Sequence, residues 1–186
     1  MKNYMTRQEY FKLFEGTLTP NEIIKLKIAY MIGKDAHRNV ERKTGGRYFE
    51  HPRRVSLKLL SFGFTDLIYH VVAFCHDVLE DTDIELELFE SIFGTEVAKT
   101  LLLLTKIEGE SKTDYLKRVN RSKVAVAVKM ADKLDNVLDI DETINDIKIE
   151  EWKEEGALLA THDTYFADSQ PLKRALLTTC GSYNGF

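Results

Sequence analysis

Two histidines and two aspartates stand in settings that suit metal chemistry. His51 lies at a loop-to-helix junction just before Pro52, and His76 is followed directly by Asp77 near the end of a strongly apolar helical run. Asp132 sits inside another apolar run, among Ala125, Val126, Ala127, Val128, Met130 and Leu134. A carboxylate in such company is costly to bury unless it is paired, hydrogen-bonded or bound to a metal. Two imidazoles and two carboxylates offer four ligands to one divalent cation and leave other positions for water and substrate. On a 3.6-residue period His76 and Glu80 share a helix face, and Asp77 and Asp81 share the adjoining one. Glu80 and Asp81 therefore follow one turn on, where they could position or deprotonate an attacking water.

The elements that must carry these residues read as helices. Thr6 with Glu9, and Thr19 with Glu22, have capping-box spacing, and Pro20 takes the first helical position of the second box. The apolar positions from Ile23 to Ile32 predict a helix over 20–37, after which Gly45 and Gly46 force a loop. Pro52 starts the next helix and Gly63 stops it, and Asp66 opens one that runs through His76 towards Asp81. Further helices are expected over 85–93, 95–106, 111–120, 122–138 and 147–161, the last carrying the lone Trp152, with a terminal helix over 172–177. No segment alternates strictly between apolar and polar residues. The expectation is an all-α chain with one domain over 1–186, its motif-bearing core over about 20–140 and C-terminal helices over about 147–180.

Composition supports this reading and removes other classes. A chain of 186 residues with 44% hydrophobic content can build a core without disulfides. Its two cysteines, Cys75 and Cys180, form neither a disulfide framework nor a metal knuckle, and no apolar run approaches the length of a membrane span. A cytoplasmic protein with reduced thiols is expected. The net charge of −4 excludes wholesale capture of nucleic acid or an anionic membrane, but it is unevenly spread. Residues 34–54 hold seven basic and three acidic side chains, a net +4, and the remainder carries −8. A cationic segment thus abuts His51, where a pyrophosphate would be attracted and arginine forks would suit its oxygens.

The run from Phe74 through Cys75-His76-Asp77-Val78-Leu79-Glu80-Asp81 to Thr82 resembles the HDxxED signature of the RelA/SpoT-type (p)ppGpp hydrolase domain, a branch of the HD-domain metal phosphohydrolases. Upstream, His37, Arg42-Lys43, Gly45 and Tyr48 before His51-Pro52 match that family in order and spacing, and downstream Lys129 to Asn136 resembles its final ligand motif. The likeness runs from about residue 23 to 140. It implies a helical HD fold binding one Mn²⁺ through His51, His76, Asp77 and Asp132, with Glu80 and Asp81 serving the nucleophilic water. It also implies substrate contacts from Arg42, Lys43 and Asn136. The mixed N/O ligand set suits Fe or Zn as well as Mn. Three positions depart from the family pattern: Arg47 replaces a proline, Asp135 an aromatic or histidine, and Cys75 an aliphatic residue.

The resulting expectation is a stand-alone hydrolase that removes the 3′-pyrophosphate of ppGpp or pppGpp, a small anionic nucleotide, with no nucleic-acid or membrane partner. About fifty residues follow the last motif, too few for the family's synthetase domain, so alarmone synthesis is not expected. An HD phosphohydrolase acting on NADPH, another nucleotide or a phosphate ester is the alternative that Arg47 and Asp135 keep open, and a non-catalytic nucleotide sensor is a third. Among the other polar residues, His37 is read as structural, His70 as a surface residue, His162-Asp163 as a chance repeat of the dipeptide, Cys75 as a small buried hydrophobe, and the acidic stretch from Asp141 to Glu155 as a solvated helix face and linker.

Overall fold

A computed structural model describes residues 5–140, 144, 146–162 and 170–182, without the side chains of 161, 162 and 182. Eleven helices are found among the described residues: α1 (Arg7–Lys12), α2 (Pro20–Ala36), α3 (Glu50–Ser61), α4 (Leu67–Cys75), α5 (Val78–Asp81), α6 (Leu86–Phe93), α7 (Thr95–Leu104), α8 (Lys112–Val119), α9 (Lys123–Leu138), α10 (Asp146–His162) and α11 (Gln170–Ser182). The only β feature among these residues is one bridge between Glu41 and Arg47. The all-α expectation holds.

Local chemistry accounts for where the helices begin. Both capping boxes form, with the Thr6 and Thr19 hydroxyls accepting from the amides of Glu9 and Glu22, whose carboxylates accept in return from the two threonine amides. Ser111 and Ser122 cap α8 and α9 in the same manner. α3 begins at Glu50, before Pro52, so His51 stands inside its first turn. The terminal helix is longer than 172–177, and α7 stops at Leu104 rather than 106.

The helix expected to run from Asp66 through Asp81 is broken after Cys75. There the His76 Nδ1 turns back to the Ala73 carbonyl oxygen at 2.8 Å, and His76-Asp77 forms a turn before α5 resumes. The interruption lies before α5, and Asp77 and Asp81 still stand one helical turn apart, the Asp81 amide donating to the Asp77 carbonyl at 3.0 Å.

α9 is the spine of the molecule. It packs against α3, α4, α7, α8, α10 and α11, and thirteen of its sixteen residues are buried. One buried cluster runs continuously from Tyr10 and Phe14 near α1, through Phe74 of α4 and Met130 of α9, to Leu172 and Leu176 of α11. α2 lies against α4 so closely at Gly33 that an added Cβ would collide with the Phe74 carbonyl oxygen. His70, expected at the surface, is fully buried where α3 and the segment after α1 meet α4. Its Nδ1 lies 2.7 Å from the Ser56 Oγ, its ring stands edge-on to Phe14, and Ser56 in turn bonds to the Tyr10 hydroxyl. The apolar length of α4 explains the difference: every residue from Tyr69 to Cys75 is buried, so no side of the helix is left for solvent. Cys75 is buried, as expected.

Candidate active site

Three helix ends and the centre of α9 converge on one point. His51 comes from the first turn of α3, His76 and Asp77 from the break between α4 and α5, and Asp132 from the middle of α9. Ligand atoms of His51, His76 and Asp77 all lie within 4.8 Å of one another. The Asp132 Oδ1 joins them at 3.0 Å from the His51 Nε2 and 3.9 Å from the His76 Nε2, and the Asp77 Oδ2 lies 3.1 Å from the His76 Nε2. Adjacent ligands about 2.1 Å from a shared cation stand roughly 3 Å apart, so these separations fit a common centre.

The outer nitrogens fix the orientation of both rings. His76 donates Nδ1–H to the Ala73 carbonyl, leaving a buried Nε2 that has no hydrogen-bond partner despite the nearby carboxylate oxygens. His51 directs Nδ1 to the Asp135 Oδ2 at 2.7 Å, leaving Nε2 for the centre. Such outer partners select the tautomer and raise the basicity of a ligating imidazole. Asp135 is itself held by Arg54 and by the Lys58 Nζ. The donor set, its geometry and the orphaned His76 nitrogen together fit a divalent cation.

The electrostatics point the same way. Burial alone would depress the His76 pKa, but Asp77 and Asp132 outweigh it and raise the value to about 9. Burial would likewise push Asp132 up, yet Lys129 and Lys133 hold its carboxyl well below the usual range. Lys129 lies 3.1 Å from the Asp132 Oδ2, on the side away from the histidines, and Lys133 bonds to Glu155 of α10 at 2.7 Å. Asp132 is thus ionised and rigidly backed, and the site attracts positive charge. Glu155 departs from the expectation of a solvated acidic face: it is buried as the partner of Lys133, whereas Asp146, Glu150, Glu151 and Glu154 are exposed. Positions 141–143 and 145 of that stretch, together with Asp163 and the His162 side chain, lie outside the described residues.

A cavity of about 310 Å³ opens beside the cluster. His51, Asp77, Asp132 and Asn136 contribute to its wall, as do Arg42, Lys43 and Tyr48 from the 40–48 hairpin and Trp152 from α10. Gly45 and Gly46 turn that hairpin with φ of 81° and 84°, a region that favours glycine, and backbone bonds between Tyr48 and Val40 and between Arg42 and Gly46 close it. Tyr48 donates to the Asp77 Oδ2 at 2.6 Å and stacks on His37, and burial together with Asp77 raises its pKa, so it remains a donor.

The cationic segment is less available than its charge suggests. Arg38 pairs with Asp35, Arg47 and Arg53 pair with Glu50, and Arg54 pairs with Asp135 and Asp139. Arg42 bonds to Asp139 through Nε at 2.9 Å and to the Asn136 Oδ1 through Nη2 at 3.0 Å. Asn136 donates onward to the Asp132 Oδ1 at 2.7 Å, so it joins the cation to the cluster. Asp139, the C-cap of α9, is not among the residues expected from sequence, although Asp132, Asp135, Asn136 and Asp139 stand at i, i+3, i+4 and i+7.

Glu80 and Asp81 do not line the described cavity. Glu80 accepts from the Lys106 backbone amide at 2.6 Å, and Asp81 lies 3.2 Å from the Nε2 of the buried His37, whose Nδ1 faces the Gly33 carbonyl.

No protein-family model matches the chain. Curated sequences do. A guanosine-3′,5′-bis(diphosphate) 3′-pyrophosphohydrolase of Aquifex aeolicus is 35% identical over 126 residues, covering 63% of this chain and 18% of its own length. The bifunctional (p)ppGpp synthase/hydrolase SpoT of Escherichia coli is 34% identical over 106 residues, covering 57% and 14%, and a probable 3′-pyrophosphohydrolase of Mycoplasma genitalium is 32% identical over 140 residues, covering 66% and 19%. Over that part of its length the chain is similar to these (p)ppGpp 3′-pyrophosphohydrolases. It spans less than a fifth of the length of these curated relatives. Among solved structures, a metazoan orthologue of SpoT superposes with a TM-score of 0.70 at 23% identity, covering 90% of this chain and 97% of the other. The arrangement of helices is thus the helical HD fold. Among the described residues no helix is long and apolar enough to cross a membrane.

Proposed function

We propose that the chain is a metal-dependent phosphohydrolase that removes the 3′-pyrophosphate of ppGpp or pppGpp, giving GDP or GTP and pyrophosphate. The observation that carries this reading is the convergence of His51, His76, Asp77 and Asp132 beside a cavity bearing Arg42 and Lys43, in a chain whose relatives are named for that reaction. The four residues would hold one divalent cation, with Mn²⁺ the first choice. Bound there, such a cation would neutralise phosphate charge and lower the pKa of a coordinated water.

The chain's own groups account for the rest. Asp135 keeps His51 turned inward, Lys129 keeps Asp132 ionised, and Tyr48 holds Asp77 through its hydroxyl. Arg42 and Lys43 would take the phosphate oxygens, with Asn136 orienting Arg42. Water adds to phosphorus, the bond to the ribose 3′-oxygen breaks, and that oxygen takes up a proton. Glu80 and Asp81 are the carboxylates proposed to receive the proton from water, one oxygen of each being engaged by the Lys106 amide and His37. Arg47 and Asp135, the departures that keep another substrate open, are engaged with Glu50 and His51 and do not line the cavity.

The test is purified protein with Mn²⁺ offered ppGpp, NADPH and nucleoside phosphates, with pyrophosphate and phosphate measured separately. Release of pyrophosphate from ppGpp that vanishes in Asp132→Ala is expected. Undiminished turnover in that variant refutes the site, and turnover of NADPH alone refutes the substrate.

A further inference from the structure

The cavity beside the cluster carries two kinds of wall. His51, Asp77, Asp132, Arg42 and Lys43 make one part polar and charged, while Val40, Ile144 and Trp152 make another apolar. Ile144 is buried and Trp152 is half-buried, resting partly on the core. Trp152 is the single tryptophan of the chain, and no other aromatic ring stacks on it among the described residues. The Lys148 Nζ stands 5.9 Å from its ring centroid and is tied to Glu151 at 2.9 Å. An indole bordering a cavity that also holds cations matches a ligand with a planar aromatic part and an anionic part.

We infer that Trp152 is the platform on which the nucleobase of the substrate packs, so that α10 reads the base while the hairpin and the ligand cluster read the phosphates. This rests on the nucleotide reading proposed above and adds a residue and a role to it. An inorganic or sugar phosphate would use only the charged wall. A nucleotide uses both, and stacking of a base on an aromatic side chain contributes on the order of tenfold or more to affinity.

Because Trp152 is the only tryptophan, its emission reports on the site without labelling. GDP titrated into the full chain should quench that emission saturably, and inorganic pyrophosphate should not. By calorimetry Trp152→Leu should weaken GDP roughly tenfold and leave pyrophosphate unchanged, while Trp152→Phe should retain most of the GDP affinity. With ppGpp as substrate, Trp152→Leu should raise KM by a similar factor with little change in kcat. Urea unfolding of each variant separates a lost platform from a lost fold, and a Leu variant that weakens both ligands equally, while Phe restores neither, overturns the proposal. So does GDP binding that is unaffected by Trp152→Leu, or no GDP binding at all. Quenching by GDP together with no hydrolysis of ppGpp would instead refute the reaction and leave the base platform standing.

Discussion

Asp135 offers the sharpest test of how the site is held. Its side chain is only 1% exposed and meets the His51 Nδ1 at 2.7 Å, the Arg54 Nε and Nη2 at 2.9 Å and the Lys58 Nζ at 2.5 Å. Arg54 and Lys58 are 26% and 19% exposed and can return to water, and Arg54 keeps Asp139 at 2.8 Å. His51 cannot, being 3% exposed. Asp135→Ala therefore strands one buried imidazole N–H, which costs about 1–3 kcal/mol, and leaves a small cavity besides. Asp135→Asn can keep its one oxygen for His51 but then turns its NH2 towards Arg54 and Lys58, which can move to water, so it should lie between wild type and Ala. The effect on the proposed metal centre should be larger than this difference implies, because outer partners of ligating histidines typically account for 10–100-fold in metal affinity. Urea unfolding of the metal-free protein gives the first quantity and calorimetric titration with Mn²⁺ the second. Wild-type, Asn and Ala proteins should rank in that order in both. An Ala variant that binds Mn²⁺ as tightly as wild type would refute the claim that Asp135 sets the orientation of His51.

Three further outcomes follow from buried groups. His70 is held neutral by burial, its pKa pushed down to about 4 against about 6.5 in the unfolded chain, so its penalty is absent above pH 6.5 and grows to about 3 kcal/mol as pH falls to 4. His70→Gln should flatten urea-derived stability across that window relative to wild type, and parallel profiles would contradict it. Gly33→Ala, ordinarily worth about 1 kcal/mol of added helix propensity, should instead destabilise by about 1–3 kcal/mol because its methyl meets the Phe74 backbone, and a raised Tm would contradict the close packing of α2 on α4. Glu155→Ala should cost about 1–3 kcal/mol by leaving the buried Lys133 with only the Asp132 Oδ2 at 3.9 Å, whereas Lys133→Met with Glu155→Leu together should recover most of that loss in a double-mutant cycle.

Much of this architecture could be read in advance because it depends on short-range chemistry. The capping boxes at Thr6 and Thr19 and the serine caps of α8 and α9 mark helix starts within four residues of sequence. The ligand candidates were legible because a histidine or aspartate in an apolar run needs an explanation. What escaped depends on tertiary partners. Nothing local in Arg54 or Arg42 announces Asp139, and so the cationic segment looked freer than it is. His70 looked peripheral because only the packing of α3 and α1 onto α4 supplies Ser56, Tyr10 and Phe14 around it. The interruption at His76-Asp77 carries no glycine or proline to mark it in the sequence, and there the His76 Nδ1 bonds backward to the Ala73 carbonyl.

The burial of α9 around Asp132 has an evolutionary consequence. A helix with thirteen of sixteen residues buried exchanges its central amide protons only in large-scale opening, so Asp132 stands on a segment little able to fluctuate alone. The hairpin at 40–48 and the exposed side of α10 are not so constrained. Drift in ligand preference among descendants of this chain should therefore accumulate at Val40, Lys43 and Trp152, while the residues of α9 stay put. The molecule divides its inheritance between a fixed interior that commits it to one kind of chemistry and a rim that can be rewritten.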